Sequence, residues 1–278
     1  ESRSTTEVLS DIGASPVASS SSIVTTGALD SGSITSGFGN INNGTSTLTT
    51  GNTDINGTVA ISGDTTLEDG ADLITATAGL SNVRIGVNAG NSITSGGNYN
   101  VTIGDEAGTA LTTGDNNVAV GFEALSTEDT HSRNTAIGHQ SLKTLNAGAN
   151  AQSTAVGYNS AKAVTTGIEN VFIGASAGES ATTPNYTVAV GKSALGAVLT
   201  GDYNTAVGYH AGLATTSGNL NTLVGAFSGD AITTAMTSVG VGYLTLSAET
   251  TGQRSTAMGY SSLANQNITD GSTTDNSA

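Results

Sequence analysis

The chain has 278 residues, of which 38 are Gly, 10% are charged and 4% are aromatic, and it contains neither Trp nor Cys. Such a composition supplies too few large side chains for the thick core of a conventional enzyme domain, and it excludes disulfides and thiolate metal sites. The formal net charge of −15 repels nucleic-acid phosphates and anionic membrane surfaces, so neither nucleic-acid binding nor membrane insertion is expected.

The first two segments are distinguished by their spacing of apolar residues. Residues 1–22 are polar and are predicted to form an N-terminal tail or attachment segment. Residues 23–80 place an aliphatic residue every six or seven positions, as at Ile34, Ile41 and Leu48. The Gly, Thr, Asn and Ser residues between them are poor helix formers, which argues against a coiled coil. We therefore predict a thin β-helical shaft over residues 23–80.

Residues 81–263 contain eleven repeats of about 17 residues. Each repeat is aligned on a Gly that follows an apolar residue, and we call these the register glycines: Gly86, Gly104, Gly121, Gly138, Gly157, Gly174, Gly191, Gly208, Gly225, Gly242 and Gly259. A constant period of this length is typical of stacked solenoid rungs. The two longer intervals fall at residues 91–98 and 145–152, where the extra residues are expected to bulge outward.

A short strand precedes each register glycine. The residue directly before the glycine is apolar, and the residue three before the glycine is β-branched. These two residues are two positions apart, so both lie on one face of the strand. We predict that this face is interior. The residues directly before the register glycines are predicted to form the structural core: Ile85, Ile103, Val120, Ile137, Val156, Ile173, Val190, Val207, Val224, Val241 and Met258. The residue between the two is often Ala. Thr pairs such as Thr112-Thr113 predict a second short strand in each repeat.

Asn recurs four residues before the register glycine. Asn side chains can hydrogen-bond along a parallel stack, and Asn tolerates left-handed turn geometry. The pattern predicts turns joined by a side-chain ladder made of Asn82, Asn100, Asn117, Asn134, Asn170, Asn204 and Asn221.

The predicted fold class is all-β, a repetitive parallel β-solenoid or β-helix built as an intertwined or side-by-side homotrimeric fibre. One aliphatic residue per rung does not offset the ordering entropy of about 1–2 kcal/mol per residue in a lone shaft chain. Three chains around one axis would share the core and cover the strand edges. Residues 264–278 are predicted to form a polar C-terminal tail.

Two motifs have the appearance of active-site sequences. Residues 174–178 match Gly-x-Ser-x-Gly, with Asp202 and His210 later in the chain, yet both glycines occupy periodic positions and no helix is predicted after them. Residues 191–193 resemble the end of a phosphate-binding loop, but Tyr186 stands where that loop requires Gly. We predict no catalytic residue and no nucleotide site.

One short segment has the residue types of a metal site. Glu128, Asp129 and His131 could converge on an ion together with symmetry mates, although a solvated loop is the favoured interpretation. His139 occupies a position held by Phe122 and Tyr158 in neighbouring repeats, which predicts a stacked column of rings; three His residues around an axis would be the metal-binding alternative. We predict no metal and no cofactor.

Two families share these patterns. The unit formed by residues 204–212, echoed at 134–138, resembles repeats of bacteriophage tail-fibre proteins, and residues 27–41 resemble the shafts of such fibres. The stacked Ala-x-Gly rungs are also similar to the heads of bacterial trimeric autotransporter adhesins. The first resemblance covers residues 27–263. Both imply a trimeric extracellular β-stalk that supports attachment, with other fibre or virion components and a host cell-surface receptor as partners.

These observations predict a non-enzymatic structural protein, a phage tail-fibre-like shaft that holds a receptor-binding tip away from its base. The alternative is a self-assembling extracellular filament or surface adhesin of a bacterial cell. A polysaccharide depolymerase is the third hypothesis, but the acidic residues are scattered and no Trp offers a sugar-stacking platform.

Overall fold

The structure is a computed structural model that describes residues 78–270, 272 and 275–278. Within these residues the chain is all-β and has no helix. Its eleven three-residue strands are β1 Val83–Ile85, β2 Val101–Ile103, β3 Val118–Val120, β4 Thr135–Ile137, β5 Thr154–Val156, β6 Val171–Ile173, β7 Val188–Val190, β8 Thr205–Val207, β9 Thr222–Val224, β10 Val239–Val241 and β11 Thr256–Met258. The predicted tail at 1–22 and nearly all of the predicted shaft lie outside the described residues.

The strands form one parallel sheet in chain order from β1 to β11. Each residue pairs with its equivalent in the next repeat, so that Val190 lies opposite Val207 and Val207 lies opposite Val224. The predicted parallel β-solenoid is therefore confirmed. With strands about 4.8 Å apart, the ten intervals span about 48 Å along the stack.

The prediction of which strand face is interior is wrong within the single chain. The middle residue of each strand points inward, and Ala119, Ala206 and Phe172 are completely buried. The residues predicted as the structural core lie instead on the outer face, where they are half-buried or exposed: Ile85, Ile103, Val120, Ile137, Val156, Ile173, Val190, Val207, Val224, Val241 and Met258. The exposed fraction reaches 47% at Ile85 and 64% at Met258.

The turns that flank each strand explain this choice of face. The residues five before and two after the register glycine have left-handed backbones in all eleven repeats, for example Tyr186 with φ 54° and Ser193 with φ 54°. These turns fold the rest of the rung behind the middle residue of the strand. The two strand faces are both apolar, so the direction of the turns, rather than hydrophobicity, decides which face is covered.

The interior is filled by two positions that compensate each other in volume in most rungs, although both are small at Ala155 with Ala161 and at Ala206 with Gly212. The first is the middle strand residue, and the second is the residue four after the register glycine. The large Leu223 is matched by Gly229, where a Cβ would lie 2.7 Å from the Leu223 Cδ2 atom. The small Ala189 is matched by the buried Leu195. This alternation keeps the narrow interior close-packed along the stack.

The predicted Asn ladder is present and completely enclosed. Directly before β9, the Asn221 side chain donates to the backbone oxygen of Ala235 at 2.8 Å and accepts from the backbone amide of Ser238 at 3.0 Å. The pattern recurs along the stack. All seven ladder residues are buried: Asn82, Asn100, Asn117, Asn134, Asn170, Asn204 and Asn221. These Asn side chains satisfy backbone groups at the turns before seven of the eleven strands.

The longer rungs bulge outward as expected. Residues 94–96 and 148–150 are exposed in the two long intervals. The second insertion also affects the ladder, because the Asn134 amide nitrogen is buried without a hydrogen-bond partner. In regular rungs this nitrogen donates to a backbone oxygen 14 residues later, as from Asn117 to His131. The two extra residues displace that oxygen.

Two smaller expectations are corrected. The second strand predicted at the Thr pairs is not present. Adjacent rungs are still joined there by backbone hydrogen bonds, such as the one that the Thr165 amide donates to the Thr182 oxygen at 2.8 Å. The predicted polar tail at 264–278 is not separate from the stack in its described part. Ser277 forms a parallel bridge with Thr256 and adds a partial rung beside β11.

Candidate functional site: the outer sheet face

The outer face of the sheet consists of four columns of side chains. Its two central columns are the first and third residues of strands β1–β11, and all 22 of these residues are Val, Ile, Thr or Met. Its two flanking columns are the residue directly after each register glycine and the residue two positions before each strand. The centre therefore has no charged side chain along the whole length of the stack.

Large exposed hydrophobic side chains gather on this face. Of the sixteen in the described residues, only Leu80 and Val198 lie elsewhere. The other fourteen occupy the four columns just defined: Ile85, Val87, Tyr99, Phe122, Ile137, Tyr158, Ile173, Tyr186, Tyr203, Tyr209, Leu220, Tyr243, Met258 and Tyr260. Such concentration on one side is unlike the scattered exposed hydrophobics of an ordinary monomer surface.

Aromatic rings stack along both flanking columns. His139 lies between Phe122 and Tyr158, with ring centroids 5.2 and 5.1 Å apart, which confirms the predicted ring column. Tyr186 and Tyr203 stack at 4.9 Å on the opposite flank. Sequence reasoning missed this second column, although the 17-residue separation of the two Tyr residues was visible in the repeat alignment.

On the outer face, charged side chains occur only in the two flanking columns, and both signs of charge are present. Three basic residues, Arg133, Lys192 and Arg254, stand with two acidic ones, Asp105 and Glu169. The formal charge of the outer face is thus +1, from three minus two, whereas the whole chain carries −15. The outer face consequently avoids the repulsion that two copies of this acidic chain would otherwise experience.

The outer face is large enough for a stable interface. It is about 48 Å long and about 20 Å wide across seven residues, or on the order of 1,000 Å² as a plane. The largest apolar patch of a typical monomer covers about 300–600 Å². A standard protein interface takes about 800 Å² from each partner.

The two enzyme-like motifs have no supporting geometry. Ser176 adopts φ 57° in a turn, and the residues after it continue through turns rather than a helix. His210 is two rungs away, where its ring stacks on that of Tyr209 at 3.9 Å between centroids. Lys192 is an exposed member of the flanking column, and no helix follows it.

The candidate metal residues do come together. Glu128, Asp129 and His131 each offer a ligand atom, and these atoms lie within 4.8 Å of one another. Glu128 is completely buried at the position seven after its register glycine, where Leu111 stands in the preceding rung. The sequence reasoning grouped the three residues but missed this burial, which the repeat alignment signals because Leu stands at the same position in both adjacent rungs.

Asp230 is an acidic residue outside this group whose carboxyl group is partly buried. One side-chain oxygen of Asp230 is buried without a hydrogen-bond partner. Burial raises the pKa of this carboxyl above its ordinary value, and backbone hydrogen bonds together with His210 offset only part of the effect. The folded state therefore binds the proton more tightly than the unfolded state, so stability falls as pH rises from the ordinary pKa through the raised one.

We expect Asp230→Asn to raise the melting temperature at pH 7 by a few degrees, because the substitution removes a poorly solvated charge. The gain should disappear near pH 3, where the wild-type carboxyl is protonated in both states. Thermal unfolding of both proteins at the two pH values measures this difference. An equal gain at both values would contradict the assignment to charge.

Within the described residues, no helix has the length and apolarity that crossing a bilayer requires. Comparison with known proteins returns no match, since no protein-family model fits the chain and neither the curated proteins nor the solved structures resemble it at a significant level.

Proposed function

We propose that this protein is a non-enzymatic structural fibre, a homotrimeric extracellular shaft like those of phage tails, and that the outer face is its trimer interface. The observation that carries the proposal is the long, uncharged centre of the outer face, flanked by exposed aromatic rings. Left in water, this face would expose far more contiguous apolar surface than soluble monomers do.

The thin interior supports the same conclusion. Most inward-facing strand residues are Ala, and the remaining interior volume is shared between few large side chains, such as Phe172, Leu223 and Ile232. Each chain thus buries little apolar surface for its length, while ordering its residues costs about 1–2 kcal/mol each. Contact between the outer faces of several copies would add the missing burial.

The proposed role follows from this architecture. A rigid stack that associates through one face presents its other surfaces repeatedly and at fixed spacing. Three copies would display any terminal binding element three times, which strengthens attachment to a surface that carries many receptors. Other fibre or virion components at the base and a host cell-surface receptor at the tip are the partners this proposal requires.

The self-assembling cellular filament remains the second candidate. End-to-end growth needs free strand edges at both ends of the stack. At β11 that edge is already used, because the backbone amide of Thr256 donates to the Asn276 oxygen at 2.7 Å and that of Met258 donates to the Ala278 oxygen at 2.9 Å. These contacts favour the closed oligomer over open growth at this end.

The proposal predicts that Val207→Asp dissociates the oligomer. Val207 is a half-buried central residue of the outer face in β8, so in an interface its replacement would bury three unpaired carboxylates close to one axis. We expect the wild type to have three times the chain mass by light scattering and the variant to have the mass of one chain. Negative-stain images should show short rods of uniform length for the wild type.

Val198→Asp is the matched control, because Val198 is 57% exposed and lies outside the outer face. It should leave the mass at three chains. A monomeric wild type, or equal dissociation by both substitutions, would refute the interface, and indefinite polymers in the images would favour the filament.

A further inference from the structure

Glu128 occupies a repeat position that holds apolar residues in most of the other rungs. It lies in the turn region between β3 and β4, and the equivalent positions in the adjacent rungs hold Leu111 and Leu145. All three residues are completely buried. A carboxylate in such a column is costly unless its oxygens are fully paired with donors or with a cation.

Only one of the two Glu128 oxygens is paired. Its Oε1 atom accepts from the backbone amides of Asp129 and His131, both at 3.1 Å, and lies 2.7 Å from His131 Nδ1. Its Oε2 atom is buried without a hydrogen-bond partner. The side chain thus has an unpaired oxygen on the same carboxyl group that contacts the imidazole.

Glu249 provides an internal comparison, because it occupies the same repeat position seven rungs later. Its Oε1 atom also accepts from backbone amides, those of Thr250 at 3.1 Å and Gly252 at 2.8 Å. Its Oε2 atom, however, accepts from the Gln266 side chain at 3.1 Å. Turn capping and the Gln266 side chain together pair both Glu249 oxygens, whereas turn capping leaves one Glu128 oxygen without a partner.

The three candidate ligands are compactly arranged. Asp129 Oδ1 is 4.0 Å from His131 Nδ1, and all ligand atoms lie within 4.8 Å of one another. Ligands around a tetrahedral zinc ion lie about 3.3 Å apart, given bond lengths of about 2.0–2.1 Å. Small side-chain rotations would bring the three groups to that separation.

The backbone of the site is held by the neighbouring rung. The Asp129 oxygen accepts from the Thr112 amide at 2.6 Å and from its hydroxyl at 2.9 Å. The His131 oxygen accepts from the Asn117 side chain of the ladder at 3.0 Å. Ligands placed on such a fixed backbone lose little freedom on binding, which favours affinity.

We propose that Glu128, Asp129 and His131 bind one divalent ion of the zinc class. An imidazole nitrogen together with carboxylate oxygens suits Zn²⁺ and Co²⁺ better than it suits Ca²⁺ or Mg²⁺, which favour oxygen ligands alone. The ion takes the place of the direct contact between Glu128 Oε1 and His131 Nδ1 and supplies a partner for the unpaired Oε2 atom. It also ties the turn to the core of the stack at the third rung.

The test is a titration of the full chain, freed of metal with a chelator, with Zn²⁺ by calorimetry and with Co²⁺ by visible absorption. We expect one ion per chain, and a melting temperature that rises when Zn²⁺ is added. His131→Gln should weaken binding at least tenfold, and Asp129→Asn should also weaken it. His139→Gln removes an imidazole elsewhere in the same stack and should leave the affinity unchanged.

Glu128→Leu gives a further test, because Leu already fills this position in both adjacent rungs. It should abolish binding, whereas Glu249→Leu should not affect it. If Glu128→Leu does not fold, the His131→Gln and His139→Gln pair still decides the result. Unchanged affinity in His131→Gln, loss of binding in His139→Gln, or no stoichiometric binding by the wild type would overturn the proposal.

Discussion

Replacement of Gly174 by Ala is expected to lower the free energy of unfolding by about 2–6 kcal/mol, the combined cost of a strained backbone conformation and of overpacking. Gly174 is the register glycine after β6, and its φ is 130°, a value that side chains other than Gly rarely tolerate. A Cβ atom there would lie 2.7 Å from both the carbonyl carbon and the oxygen of Gly191. The clash is with backbone, so no side-chain rotation can relieve it.

Gly259→Ala separates the cost of backbone strain from the cost of overpacking. Gly259 is the register glycine after β11, its φ is 109°, and a Cβ atom there would have no neighbour within 4 Å. Its replacement should cost only the conformational strain of about 1–3 kcal/mol. Urea unfolding followed by circular dichroism measures both variants. Equal losses would mean that stacking of the glycines adds nothing, contrary to the structure.

Asn221→Ala is expected to cost about 3–5 kcal/mol, since it leaves several buried polar groups without partners at about 1–3 kcal/mol each. The Asn221 amide nitrogen donates to the Ala235 oxygen at 2.8 Å and to Asn204 Oδ1 at 3.2 Å, while its oxygen accepts from the Ser238 amide at 3.0 Å. Water cannot replace these contacts easily, because Asn221 is only 1% exposed.

Asn134→Ala is the matched control within the same ladder. Its amide nitrogen has no partner, and its oxygen accepts only from the Ser153 amide, at 3.2 Å. We expect a loss of about 1–2 kcal/mol, corresponding to one buried hydrogen bond. Thermal and urea unfolding of the two variants should therefore differ clearly. A larger loss for Asn134→Ala would contradict the hydrogen-bond account of the ladder.

The candidate site was only partly predictable from the sequence. The residues of the outer face were recognised as a continuous apolar set, but Val207 and its equivalents were predicted to form the structural core, whereas in the single chain they are half-buried or exposed. The alternation of Val-Ala-Val along a strand does not distinguish its faces, because Ala is apolar as well. At Glu128, residue types indicated possible ligands, but burial and the unpaired oxygen depend on packing between rungs.

The sequence by itself determined the period, the eleven register glycines and the positions of the Asn ladder, because each depends on a local requirement. Only Gly accepts a φ near 130° without a clash, and only a side chain with both a donor and an acceptor continues the ladder. The tertiary structure alone decided which strand face is enclosed. Left-handed backbone conformations at three positions per repeat set the direction in which each rung closes. Residues as different as Glu106, Phe227 and Leu244 adopt them, so no residue type identifies that direction.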